Sequence, residues 1–91
     1  ELYTESYAVA HAAGHFESVL SQFSEAAAAA HDAGLGINAG HDLNLTNLPN
    51  FMIPHLLEVS IGHALITDAL RYGFAESIRR YLQALERRAA A

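Results

Sequence analysis

Short strand-like runs alternate with stretches of helical spacing along the whole chain, and that alternation leaves few folds open. Glu1-Leu2-Tyr3-Thr4 reads as the end of a strand, Leu35 to Ala39 as a short buried strand, and Leu56 to Ile61 as a third. Between the first two, apolar residues fall at Phe16, Val19, Leu20, Phe23, Ala26, Ala27 and Ala30, which is helical spacing. The run Ala26 to Ala30 adds intrinsic propensity, and Gly34 is a natural stop. Tyr7 to Gly14 is rich in small residues and fits either a loop or a short helix. Thr46 or Asn47 is placed to cap a short helix with Pro49 in its first turn, ended by Pro54. His63 to Tyr72 reads as a helix stopped by Gly73, and Phe74, Ile78, Tyr81, Leu82 and Leu85 mark an amphipathic one after it. The expected order is β-α-β-α-β-α-α, which implies an α/β fold with a parallel sheet and right-handed crossovers. The apolar runs of the last two strands predict burial on both faces. Three parallel strands leave two open edges, so the pattern reads as part of a larger α/β structure.

Size and charge narrow the function. The 91 residues suffice for one small domain. Net charge is −5 and lysine is absent, which gives no footing to a nucleic-acid surface. Arg79, Arg80, Arg87 and Arg88 fit the solvated face and last turn of a helix. There is no cysteine, so disulfides and thiol catalysis are excluded. No apolar run reaches the length of a membrane span, and no signal-peptide pattern is present. The chain opens on Glu1 inside a strand-like run, which reads as a cut.

Two Gly-His pairs close successive strand-like runs, in Gly36-Ile37-Asn38-Ala39-Gly40-His41-Asp42-Leu43 and in Leu57-Glu58-Val59-Ser60-Ile61-Gly62-His63-Ala64-Leu65. Strand ends are where α/β folds place chemistry. Glycine allows backbone N–H groups to approach a ligand, and histidine moves protons near neutral pH. With Glu-Leu-Tyr-Thr at 1–4, these segments resemble the pyridoxine 5'-phosphate synthase family over essentially the whole chain. The resemblance implies a TIM (β/α)8 barrel, of which residues 1–91 would be the C-terminal part of a single domain, the last three βα units. A full barrel takes roughly 250 residues, so about a third would be present. It further implies a cytoplasmic, transferase-type, ring-closing enzyme that forms an octamer. That enzyme condenses 1-deoxy-D-xylulose 5-phosphate with 3-amino-2-oxopropyl phosphate to give pyridoxine 5'-phosphate and phosphate, without cofactor or metal. A fragment of this extent is expected to be inactive alone.

The resemblance assigns roles by position. His41 falls on the family's proton donor, and ring closure needs several proton transfers that an imidazole suits. Asp42 falls on a position that binds the amino-ketone phosphate; glycine also occurs there, so the backbone would make that contact. Gly62 and His63 fall on the phosphate site of the same substrate, and a helix start with free N–H groups is apt for it. Glu1 matches a strand-end glutamate assigned to transition-state stabilisation. Where the family often has glycine after Glu-Leu-x-Thr, this chain has Glu5. His11 and His15, four apart, read as surface residues, with His31 in a last helical turn and His55 in a loop. Tyr3, Tyr7, Tyr72 and Tyr81 read as packing residues. Two other readings stand beside the enzyme. One is a non-catalytic α/β structural or interaction module that oligomerises through exposed strand edges. The other is a metal site at His41, His63 and Glu1.

Overall fold

The computed structural model describes residues 1–90, with side chains through residue 87. Three parallel strands lie side by side in chain order: β1 (Leu2–Tyr3), β2 (Ile37–Gly40) and β3 (Leu56–Ser60). Two helices, α1 (Glu5–Ala12) and α2 (Glu17–Asp32), cross from β1 to β2. A single 3-10 turn, Leu48–Asn50, lies between β2 and β3, and α3 (His63–Tyr72) and α4 (Phe74–Ala90) follow. The βα order matches the expectation, and the ambiguous segment after Glu5 is helical. The expected helix before Pro54 shrinks to one turn. Asn47 stands at its N-cap without a side-chain cap bond, because both ends of the Asn47 amide are used in the preceding loop.

Positive φ explains the stops. Gly14, Gly34 and Gly73 sit at φ of 84°, 83° and 85° just after α1, α2 and α3, a conformation that costs glycine nothing. The core lies between the sheet and its helices. Tyr7, Ala27, Ile37, Ala39, Leu43, Leu48, Phe51, Ile53, Tyr81 and Ala84 form one buried cluster, with Phe16, Val19, Leu20, Phe23 and Ala30 of the second helix and its approach packed against it. Ala26, placed on that apolar stripe by spacing, is instead exposed. Full burial of a Leu- or Phe-sized side chain contributes about 1.5–3 kcal/mol, so Phe51, Leu43 and Leu48, all fully buried, carry much of the stability. Tyr7 is buried at the centre and donates a hydrogen bond to the Asn47 carbonyl at 2.5 Å.

The sheet departs from expectation on one side. Strand β3 is not covered on both faces: Leu57 is 76% exposed and Glu58 is exposed. In register, Asn38 lies opposite Glu58 and Gly40 opposite Ser60, while Tyr3 lies opposite Gly40. Alternation therefore puts Tyr3, Asn38, Gly40, Glu58 and Ser60 on one face, and the Asn38 amide donates to the Glu58 carboxylate across it. The opposite face carries Leu2, Ala39 and Val59 toward the helices. The strand run was apolar enough for two-sided cover, but Glu58 and Ser60 on the polar face are exposed. The outer side of α3 and α4 is likewise open, with Leu70 86% exposed and Ile66, Phe74 and Leu82 exposed. Arg79 and Arg87 are exposed as expected; Arg80 lies 3.7 Å over the Tyr72 ring, and the Arg88 side chain is outside the described residues.

Candidate active site

All of the strand ends point the same way, because the sheet is parallel, and the loops that follow them meet at one rim. A cleft of about 280 Å3 opens there, lined by Glu1, Gly40, His41, Asp42, Leu43, Ser60, Gly62, His63 and Ala64. Every residue singled out from the sequence, Glu1, His41, Asp42, Gly62 and His63, lies on its wall. Each is exposed rather than buried.

The loop after β2 is held in an unusual shape. His41 has φ 102° and Asp42 φ 62°, two consecutive non-glycine residues in a region L-residues rarely occupy. Such residues cost on the order of 1–3 kcal/mol each and persist only where surroundings over-determine them. Here the surroundings are polar. Thr4 is fully buried, and its hydroxyl donates to the His41 carbonyl at 2.6 Å, while its N–H donates to the Gly40 carbonyl at 3.0 Å. Asn47, also buried, donates through Nδ2 to the Asp42 carbonyl at 3.1 Å and accepts through Oδ1 from the Asn44 N–H at 2.9 Å. Asn44 Oδ1 in turn accepts from the Thr46 and Asn47 N–H groups. Thr4 and Asn47 are the residues sequence reasoning missed as parts of this site. No motif marks them; only pairing of β1 with β2 brings Thr4 beneath His41.

The glycine before His41 has a steric reason. A Cβ on Gly40 would fall 2.7 Å from Glu1 Oε2 and 3.2 Å from Ser60 Cβ. Its absence lets the Glu1 carboxylate reach into the cleft against bare backbone. At the other wall, Gly62 is the N-cap of α3 without a side-chain cap bond. The Leu65 N–H and the Ile66 N–H turn back to the Gly62 carbonyl, and the N–H groups at the helix start have no acceptor within the helix. A Cβ on Gly62 would meet nothing within 4 Å, so this glycine leaves an open approach to that helix end.

His41 itself is ringed by polar groups. Its Nδ1 lies 3.0 Å from Asp42 Oδ2 and 3.8 Å from Glu5 Oε2, and its ring centroid is 4.5 Å from that of Tyr3. Tyr3, read from the sequence as a packing residue, is 57% exposed and lies against the His41 ring. Among the described residues, the group that converges closely enough to ligate a metal is Glu5, His41 and Asp42, within 4.8 Å of one another, and not His41 with His63 and Glu1. His11 is half-buried, stacks on Phe16 and meets Asn50 Oδ1 at 2.9 Å; His31 and His55 stack on each other, exposed, with centroids 3.6 Å apart.

Comparison with known proteins gives this cleft its context. A family model described as pyridoxal phosphate biosynthesis protein PdxJ matches residues 1–87. A pyridoxine 5'-phosphate synthase of Xylella fastidiosa (strain 9a5c) is 53% identical over 88 residues, covering 94% of this chain and 34% of the relative. One of Xanthomonas axonopodis pv. citri (strain 306) is 54% identical over 87 residues, covering 93% of this chain and 34% of the relative. The chain spans about a third of the length of the curated relatives it matches.

Proposed function

The chain belongs to the pyridoxal phosphate biosynthesis protein PdxJ family, and on that premise we propose that it supplies the proton donor and one phosphate site of a pyridoxine 5'-phosphate synthase. The observation that carries the reading is the shared cleft: five residues, Glu1 just before β1, His41 and Asp42 after β2 and Gly62 and His63 after β3, each given a role in the same reaction, line one space. In this reading the three βα units are the last three of a TIM barrel. The polar face with Asn38, Glu58 and Ser60 then looks into the barrel, and the remaining strands cover the open edges. The whole enzyme is a cytoplasmic octamer acting on 1-deoxy-D-xylulose 5-phosphate and 3-amino-2-oxopropyl phosphate.

The geometry of the cleft supports a division of labour. The amino-ketone phosphate seats its phosphate on the N–H groups at the start of α3, where the helix dipole favours an anion and Gly62 leaves the approach open. Its carbon chain then runs toward His41 and Asp42, and the Asp42 contact is made by backbone. His41 delivers protons to the oxygens that leave as water during ring closure, a task worth about 10²–10⁴-fold for a placed imidazole. Glu1, held against Gly40, stabilises the cationic character that develops as the amine condenses.

The test is product formation. The chain is joined to the portion of the Xylella fastidiosa relative outside the match, and release of pyridoxine 5'-phosphate from the two phosphorylated substrates is followed. Turnover by the joined protein, and none by residues 1–91 alone, is the expected result. A folded joined protein without turnover, or product from residues 1–91 alone, contradicts the reading.

A further inference from the structure

The cleft explains where a ligand would meet His41, but not why three polar side chains crowd the rest of its ring. Asp42 Oδ2 is 3.0 Å and Glu5 Oε2 is 3.8 Å from Nδ1. The Tyr3 hydroxyl donates to that same Glu5 oxygen at 2.7 Å and lies 3.5 Å from His41 Nε2. Glu5 opens α1 and Tyr3 ends β1, so both are anchored in regular elements, while His41 and Asp42 stand in the loop.

Counting hydrogens assigns the ring. Ionised carboxylates only accept, so an Nδ1 hydrogen-bonded to Asp42 at 3.0 Å carries the hydrogen in the neutral imidazole, and the Glu5 charge 3.8 Å away, beyond hydrogen-bond reach, favours the same form through its field. Tyr3 has a single hydroxyl hydrogen and gives it to Glu5; that bond also holds the phenol above its ordinary pKa. Tyr3 therefore has no hydrogen for Nε2. The nitrogen left basic is Nε2, and when it gains a proton the Tyr3 oxygen is at hand with a lone pair.

We propose that Glu5 is a positioning residue that, together with Asp42, fixes His41 in its Nδ1–H form and reserves Nε2 for proton exchange with a molecule in the cleft. Tyr3 is the strut that ties Glu5 to the ring. The proposal rests on the reading of His41 as proton donor, yet it makes a statement about the tautomer that stands whether or not the protein turns over. Glu5 acts through His41 and touches no reacting atom.

The experiment uses the joined protein described above, labelled with 15N-histidine, with the His41 signals assigned by their loss in His41→Asn. The neutral ring of the parent is expected to show the Nδ1–H pattern of nitrogen shifts. In Glu5→Gln the negative charge 3.8 Å from Nδ1 is lost, so the Nδ1–H form loses part of its preference, the tautomers mix, and kcat falls about tenfold with KM within twofold, the lower end for lost support of a histidine. Glu5→Asp is expected to restore the parent tautomer and most of kcat. An Nε2–H tautomer in the parent, or Glu5→Gln that changes neither tautomer nor kcat, overturns the proposal. If the parent makes no product, the tautomer still decides this proposal, and the failure counts against the functional reading alone.

Discussion

Gly40→Ala separates a structural glycine from one that serves the cleft. Gly40 sits in β2 beside Glu1, and an added Cβ would lie 2.7 Å from Glu1 Oε2, 3.3 Å from Glu1 Cδ and 3.2 Å from Ser60 Cβ. Contact becomes ordinary near 3.4 Å, so the carboxylate must retreat by roughly 0.7 Å and Ser60 by roughly 0.2 Å in a close-packed setting. The two displacements differ in kind. The carboxylate is the end of an exposed, rotatable side chain and moves at little cost. Ser60 sits on a paired strand, and the strain there is of order 1 kcal/mol. Against it stands a gain of about 0.4–1 kcal/mol from a stiffer unfolded chain. The net stability change is therefore within about 1 kcal/mol, or at most about 2–4 °C in Tm for the joined protein, whose length is that of a full barrel of roughly 250 residues. Activity responds differently, since a displacement of about 1 Å in a catalytic group can cost on the order of 10²-fold. In the joined protein, Gly40→Ala is expected to keep its melting transition within that range and lose about 10- to 100-fold in kcat. A Tm loss well beyond 10 °C would mean that Gly40 is needed for packing, and unchanged kcat would mean that the Glu1 carboxylate has no part in the reaction.

Other perturbations reach different links of the account. Gly62→Ala adds a methyl where nothing lies within 4 Å; Tm should hold while KM for the amino-ketone phosphate rises about tenfold, and an unchanged KM would remove the phosphate from this helix end. Tyr7→Phe keeps the packed ring but leaves the Asn47 carbonyl with the Asn50 N–H at 3.3 Å in place of its 2.5 Å hydroxyl partner, so denaturant unfolding should show a loss of about 0.5–1.5 kcal/mol; no loss would mean water replaces the hydroxyl. Glu76, in the first turn of α4, has its carboxyl held down to about 2 by hydrogen bonds from Arg79 and then Arg80. Because its folded pKa is depressed, the stability it contributes is present above the ordinary carboxylate range and is lost as pH falls toward 2. The Glu76→Gln variant should lack this part of the acid dependence, and high salt should shrink it in the parent because the pairs are partly exposed.

The elements were legible because their signals are local. Gly34 and Gly73 ended helices where spacing said they would, at positive φ, and His63–Tyr72 was readable to the residue. The polar face of the sheet was not. Leu57 looks apolar enough for a strand covered on both sides, but cover is a property of neighbours, and the neighbours of β3 among the described residues lie on one face. The cleft was legible in part, through the two Gly-His pairs and Glu1. Its supports were not, because they are made across the sheet: Thr4 bonds to His41, 37 positions away, and Tyr3, exposed on β1, lies on the imidazole. The shape of the loop is another such case. His41 and Asp42 take positive φ although neither is glycine, a strain that only the tertiary bonds from Thr4 and Asn47 explain.

The central claim is that His41 is the proton donor of a ring-closing condensation, presented by the loop that follows β2. Its most direct test is kcat of the joined protein with His41 intact and with His41→Asn, which removes the imidazole's proton transfer while keeping a polar side chain. The account predicts turnover in the first and a loss of about 10²–10⁴-fold in the second, with an unchanged melting temperature. Turnover that survives the substitution within a few-fold would contradict it.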